Sequence, residues 1–518
     1  MTTADPVTRA FNLELKEPVL GDNRSPEKRL RDALSQEIGA GQLHLPLDVA
    51  RKLPKLLPES DYKIQAVVAK DRCGWKICRC VPQCKSSKVL GLAVDLGSTS
   101  VVFYLVDLQS GKTLETLSSE NPQRIHGEDI LDRIIFAQRG GLKELQKEII
   151  SLFNNSIKQM CAKVGVKTRD IFFISVAGNT TMCHFFLALD PSHICKEPYI
   201  PAVNRFDYLC PAELDLDINP HGTVYVLPNV GSYFGGDLIA GILASKMAER
   251  KEISLLVDVG TNAEVVLGNQ DWLVACAGAA GPALEGGILS CGMRAQPGAI
   301  ERVEISPEDL SVKIRTIGNR PPKGLCGSGI IDLLAAMFEA GLVDQTGKLM
   351  IDKDPARMIK VGHEWAYIVA FEKDTAHGRP VYITQSDIKN LIRSKGAMYT
   401  ILNVVTQSVG IDFNDIENFF VAGAFGNYID AQKAITIGML PDIPIDKFKP
   451  LGNSAGKGAV RVLLESASMD KMEKICDKIT YLEMNVRGDF MNQLTGALFL
   501  PHTDLSRFPN VAKRLNLR

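Results

Sequence analysis

Two stretches of this chain repeat one another at long range. Val94-Asp95-Leu96-Gly97-Ser98-Thr99-Ser100 is echoed, 163 residues later, by Val257-Asp258-Val259-Gly260-Thr261-Asn262-Ala263. An apolar strand precedes each copy and another follows it, at residues 101–106 and 264–267. Stacked repeats recur every ~20–50 residues, so this spacing demands two similar domains, expected to face each other across a cleft. Between the copies, short apolar strands alternate with amphipathic helical stretches at 129–137 and 142–157, which is α/β usage. Residues 1–88 read differently. Asn12-Leu13-Glu14-Leu15 alternates like a strand, Ser25-Pro26-Glu27-Lys28 opens a helix with capping chemistry, and 62–69 with 75–81 make a strand pair. The expected organisation is a small α+β domain at 1–88, a first lobe at 89–240 and a second at 241–518.

Each echo ends a buried strand with Asp, turns on Gly and returns as a strand. Glycine lets backbone N–H groups approach an anion closely, and Ser98, Thr99, Thr261 and Asn262 add side-chain donors. One Asp-Gly turn alone reads as a tight hairpin; two in register read as a grip on a polyphosphate, with Gly97 and Gly260 at the turns. Magnesium prefers one or two carboxylates completed by phosphate oxygens and water. Asp95 and Asp258 are the carboxylates placed to organise it, directly or through water. No G-x-x-x-x-G-K-[ST] run occurs, and strands rather than helices follow these glycines, so neither a P-loop nor a Rossmann turn is present.

Three further glycine-rich places belong to the same reading. A buried strand from Asn418 runs into Gly423, Ala424 and Gly426, where missing side chains leave room for a nucleoside. Gly235-Gly236-Asp237 opens an apolar helix, and Asp237 is a candidate to position or deprotonate water. Gly327-Ser328-Gly329 opens another, where helix packing and ligand contact weigh equally. Glu264 is a second candidate to orient water, with the strand alternation leaving its direction open. Glu285, in 281–287, either caps a helix or touches nucleotide.

The ordered set of Asp95 turn, Gly235-Gly236-Asp237 helix, Asp258 turn, Gly327-Ser328-Gly329 helix and Gly423–Gly426 strand resembles the actin, sugar kinase and heat-shock chaperone ATPase superfamily. Within it, the chain looks like the ATP-dependent reductive activators of corrinoid proteins. The residues that carry the likeness are 91–99, Asn121-Pro122-Gln123, Gly127-Glu128-Asp129 with Arg133, 177–182 with His184, 281–286 and 421–426. It covers about residues 89–500, and the N-terminal unit looks in weaker form like the family's middle domain. The resemblance implies duplicated actin-like (ribonuclease-H-like) lobes, ATP and magnesium as cofactors, and an ATP hydrolase. That enzyme would return an inactive Co(II) corrinoid protein of a methyltransferase system to Co(I), with an electron-donor protein as second partner. Rival readings are a small-molecule kinase of the same superfamily, an activator of an acyl-CoA dehydratase, and a nucleotide-gated scaffold without turnover.

Many members of that family carry a ferredoxin-type cysteine pattern, C-x4-C-x2-C with a later Cys, or cysteine-rich motifs at the C-terminal end. Neither pattern occurs here. The one cysteine group is Cys73, Cys78, Cys80 and Cys84, on or beside the predicted 75–81 strand. A period of two puts Cys78 and Cys80 on one face. Four thiols match the count for an iron–sulfur cluster or structural zinc; the spacing matches no standard motif, and unligated thiols are the other reading. His184 reads as a satisfied helix histidine, since no companion ligands stand at suitable spacing.

Composition narrows the partners. Fifty-nine Lys+Arg against 60 Asp+Glu leave a net charge of −1, with no excess to draw the chain to nucleic acid or anionic lipid. No apolar run approaches the ~20 residues of a membrane helix, and the first residues lack signal-peptide features. A cytosolic protein is expected, and an oligomer is compatible with the sequence.

Overall fold

The computed structural model describes residues 5–39, 42–72, 74–85, 88–260, 262–279, 289–423, 429–482 and 490–517, the side chains of Asn262 and Ala279 excepted. By internal contacts the chain divides into two units, Met1–Ala244 with Ser454–Asp477, and Ser245–Asn453 with Lys478–Arg518. Among the described residues no helix is long and apolar enough to cross a membrane.

The first unit begins with the small α+β domain. Its strands are β1 (Thr8–Glu14), β2 (Gln42–His44), β3 (Lys63–Asp71) and β4 (Gly74–Pro82), in the order β1-β3-β4-β2. Two helices supply the rest of its core. In Pro26–Ile38 the Ser25 hydroxyl accepts from the Lys28 N–H and Pro26 stands at the first turn, where a missing donor costs nothing. In Leu47–Glu59 the residues Val49, Leu53 and Leu57 recur every four positions and are buried. They close over Leu13, Ile64, Trp75 and Ile77.

The larger sheet of this unit holds β5 (Leu90–Leu96), β6 (Ser100–Asp107), β7 (Thr113–Glu120), β8 (Ile171–Gly178) and β9 (Thr223–Val226), in the order β7-β6-β5-β8-β9. β5, β6 and β7 form an antiparallel meander; β8 and β9 add in parallel on the other side of β5. Leu145, Ile149, Phe153 and Ile157 of the helix Leu142–Val164 lie at helical spacing and are fully buried in the sheet's core. The helices Gly236–Ser245 and Ser454–Leu464 cross where a Cβ on Gly458 would lie 2.2 Å from Ala240 O. Ser454–Leu464 is tied to the sheet by Ser175, whose hydroxyl donates to Ala459 O at 2.8 Å.

The second unit repeats the plan. Its strands β10 (Ser254–Val259), β11 (Asn262–Gly268) and β12 (Leu273–Ala279) form the meander. Six strands of two small three-stranded sheets follow: β13 (Ala299–Ile305), β14 (Val312–Thr316), β15 (Gly324–Leu325), β16 (Met358–Val361), β17 (Glu364–Ala370) and β18 (Val381–Thr384). Then β19 (Asn418–Ala422) and β20 (Phe448–Gly452) add in parallel beside β10, and β21 (Ile479–Tyr481) extends the far edge, giving β20-β19-β10-β11-β12-β21. Apart from the added β21, both large sheets therefore have one topology: a central strand that opens an antiparallel meander on one side and has two strands added in parallel on the other. The echo is the trace of a duplicated ribonuclease-H-like fold, and each Asp stands near the end of the central strand of its sheet.

Candidate active site

In the first unit Asp95 is the penultimate residue of β5, paired with Val102 and Ala177. The chain turns through residues 97–100, so tightly that a Cβ on Gly97 would lie 2.5 Å from Ser100 O. Two buried side chains hold this turn by its carbonyls. Asn121 Nδ2 donates to Gly97 O at 2.8 Å while its backbone N–H donates to Thr99 O at 3.0 Å. Arg133 Nη1 donates to Ser98 O at 2.8 Å and its Nε to Gly127 O at 2.9 Å. The Ser98 and Thr99 N–H groups have no acceptor among the described residues. A turn whose carbonyls are pinned and whose adjacent N–H groups remain unspent is a nest for an anion. Arg133 strengthens it: the guanidinium is wholly buried, burial pulls its pKa down from the usual value, yet it stays charged directly behind the turn.

Asp237 comes to the same end of the sheet through glycines. A Cβ on Gly178, at the end of β8, would lie 2.9 Å from Leu96 O; one on Gly235 would lie 2.3 Å from Asn179 Cα and 2.6 Å from Asp237 Oδ1. Only bare backbone lets these segments touch. Burial pushes the Asp237 carboxyl up to about 6, against the opposing effect of the Leu238 N–H that it accepts at 2.8 Å. His184 lies in the core of the unit: its Nδ1 sits 2.7 Å from Thr180 O and its Nε2 accepts from the Ala202 N–H at 3.1 Å. Both ring nitrogens are spent, and burial holds its pKa below the ordinary value.

In the second unit Asp258 stands directly opposite Glu264 in the β10–β11 ladder. Directly opposed residues of an antiparallel pair point to one face, so Glu264 shares the face of Asp258. Asp258 also neighbours Ala422 of β19, and the next residue, Gly423, has φ +82. A Cβ there would lie 2.8 Å from Asp258 Oδ1 and 3.0 Å from Val259 O. Only bare backbone at Gly423 therefore passes this close to the Asp258 carboxylate. Gly423→Ala brings backbone strain of ~1–3 kcal/mol at positive φ and drives a methyl against the Asp258 carboxylate. The variant is expected to lose at least tenfold in kcat/KM for ATP hydrolysis, read by phosphate release.

The helix Gly327–Glu339 starts with Gly327 half-buried, but Ser328 is buried and a Cβ on Gly329 would lie 2.0 Å from Ile300 O. Gly329 therefore serves the packing of this helix on β13. Arg302 of β13 reaches Asp332 of the same helix at 3.3 Å and Asp430 at 3.9 Å, and burial pushes Asp332 up to about 6. This trio carried no sequence signal, its members being scattered over 128 residues. Thr261, Glu285, Ala424, Gly426 and the side chain of Asn262 lie outside the described residues. A second echo, Val176-Ala177-Gly178 against Val421-Ala422-Gly423, is a signal that finds Gly178 as the counterpart of Gly423.

The strand β4 departs from the regular alternation expected at Cys78 and Cys80. Cys73 lies outside the described residues. A bulge between the Val67–Arg79 and Val68–Ile77 pairs takes Cys78 out of the β3–β4 ladder and breaks the period of two. Cys80 packs on the core with Trp75 and Ile77, whereas Cys78 Sγ turns to His221 O at 3.0 Å. The two thiols do not share a face. Burial pushes both up to about 12, and Cys84 is exposed. Among the described residues these thiols form no group of three around a common point.

Three family models match the chain: the RACo linker region over residues 1–85, the RACo middle region over 90–250, and the C-terminal domain of RACo, the ASKHA domain, over 252–512. The N-terminal unit, likened above to the family's middle domain, is thus its linker region. The "Corrinoid activation enzyme RamQ" of Eubacterium limosum is 33% identical over 472 residues, 86% of this chain and 78% of that protein. The "[Co(II) methylated amine-specific corrinoid protein] reductase" of Methanosarcina barkeri is 26% identical over 435 residues, 78% of this chain and 75% of that one. A solved structure titled "Reductive activator for corrinoid, iron-sulfur protein" superposes with a TM-score of 0.90 at 40% identity, over 98% of this chain and 81% of that chain. Matched along nearly its whole length by linker, middle and ASKHA regions in that order, the chain belongs to the RACo family.

Proposed function

We propose that this protein is a cytosolic ATPase that returns the Co(II) form of a corrinoid protein, one serving a methyltransferase system, to Co(I). The observation that carries the ATPase reading is the pair of Asp-Gly turns at equivalent ends of two sheets of one topology. The corrinoid substrate follows from the likeness to proteins named as corrinoid activators and reductases. One electron passes from a donor protein to cobalt, and ATP and water become ADP and phosphate. For a one-electron couple a tenfold change in equilibrium is about 59 mV. An uphill reduction can draw on ATP only if the nucleotide states differ in their affinity for the oxidised and reduced partner.

The residues divide the work. The Ser98 and Thr99 N–H groups, with Gly97 at the bend, hold phosphate oxygens over the buried Arg133 charge; Gly260, Thr261 and Asn262 do so in the second unit. Asp95 and Asp258, each near the end of the central strand of its sheet, are the carboxylates for magnesium, an oxygen-donor set that suits the cation. Bound magnesium neutralises charge on the phosphates. Gly327, Ser328, Gly423, Ala424 and Gly426, with Glu285, receive the nucleoside. Asp237 orients the attacking water and accepts its proton, a task suited to a carboxyl titrating near 6; Glu264, on the face of Asp258, is the alternative acid.

The test is anaerobic ATP hydrolysis with and without a Co(II) corrinoid protein and a low-potential electron donor, following Co(I) by its absorption. Stimulated hydrolysis together with Co(I) formation is expected. Hydrolysis indifferent to the corrinoid protein, with no Co(I), would remove the assignment.

A further inference from the structure

We propose that His126, Glu144 and Glu148 form a binding site for a divalent cation of the Zn2+ type, apart from the nucleotide site. One ligand atom from each lies within 4.8 Å of the other two. His126 ends the 3-10 turn Pro122–His126. Glu144 and Glu148 stand four residues apart on the helix Leu142–Val164, so they share a face one turn apart.

The groups are held ready and incompletely satisfied. The His126 ring stacks on Phe136 with centroids 4.1 Å apart and planes at 18°, which fixes where its Nε2 points. That atom lies 2.8 Å from Glu148 Oε1, while Glu148 Oε2 is buried without a hydrogen-bond partner. Glu144 makes no hydrogen bond or ion pair among the described residues. The neighbouring acids are otherwise engaged: Glu120 and Glu128 pair with Arg124 at 3.6 and 2.7 Å. Two like charges at this spacing on a helix repel, and a cation turns that repulsion into attraction.

One imidazole nitrogen and two carboxylate oxygens, with a position left for water, are a Zn2+ set, with bonds of about 2.0–2.2 Å. Magnesium, which favours oxygen ligands in an octahedron, is a poor competitor there. Lys143 and Lys147 line the same groove and temper its charge, so micromolar affinity is expected. The site has a mechanical neighbour: Gly127, next to His126, gives its carbonyl to Arg133, which holds Ser98. A cation on His126 braces the support of the first phosphate turn.

The test is calorimetric titration of metal-free, full-length protein with ZnCl2 in excess MgCl2, on wild type, His126→Ala and Glu144→Gln, with melting curves of each. Glu144 is exposed, so Glu144→Gln folds as the wild type does. One Zn2+ site weakened at least tenfold in both variants is expected, and Co2+ loaded in its place lacks the intense charge-transfer bands of thiolate ligation. Absence of Zn2+ binding, equal affinity in Glu144→Gln, or thiolate bands with Co2+ would overturn the site.

Discussion

Asp258→Ala abolishes ATP turnover while leaving the protein folded; we expect a fall of about 10³ or more in kcat, some 4 kcal/mol of lost transition-state stabilisation. The size follows from where the carboxylate stands. It lies near the end of the central strand β10, against a glycine that only bare backbone can occupy, on the face it shares with Glu264. As the proposed magnesium ligand, Asp258 would act on every oxygen the cation touches. Folding is spared because Val257 and Val259, not Asp258, enter the core of this unit, and the ladder bonds of β10 are made by backbone. Phosphate release is the readout, with far-UV circular dichroism as control. Asp258→Asn, which keeps the shape and removes the charge, is expected to fall as far. Hydrolysis at the wild-type rate by either folded variant would take Asp258 out of the site.

What the amino-acid sequence disclosed, and what it hid, has local causes. The central strands were legible because Asp-x-Gly at the end of a buried strand recurs with the same flanks. The parallel neighbours of those strands were harder. Gly178 follows Asp95 by 83 residues whereas Gly423 follows Asp258 by 165, because the six strands of two extra sheets, β13 to β18, intervene in the second unit. The repeated Val-Ala-Gly thus falls out of step with the repeated Val-Asp-x-Gly. The direction of Glu264 could not be counted through the turn. Four residues, 97–100, separate the last paired residues of the first hairpin, and three, 260–262, those of the second, so each turn resets the phase of alternation. Cys78 was misread for a related reason, since a single bulged residue shifts every later side chain to the other face. Arg133 was visible only as part of a motif. Nothing in the order of residues says that a guanidinium will be buried against the carbonyls of a turn 35 positions away.

Asp237→Asn is expected to slow hydrolysis by about 10²–10⁴, the usual worth of a positioned proton acceptor, and at the same time to raise stability above pH 6. The two effects have one origin. Burial lifts this carboxyl from 3.8 to about 6, so between those values the folded protein keeps a proton that the unfolded chain has released. Stability therefore falls as pH rises from about 4 to 6, and above 6 the folded state carries the full cost of a buried charge, on the order of 1–3 kcal/mol. Asparagine still accepts the Leu238 N–H but never ionises. Its melting temperature should exceed that of the wild type at pH 7.5, with the difference vanishing near pH 3.5. The rate profile gives the independent reading. Wild-type kcat should climb through a limb near pH 6 as Asp237 loses its proton, and in Asp237→Asn that limb should be missing rather than displaced. If the variant keeps the limb, Glu264 becomes the acid that meets the water, and the raised pKa of Asp237 is a consequence of its burial beside Gly235 and nothing more.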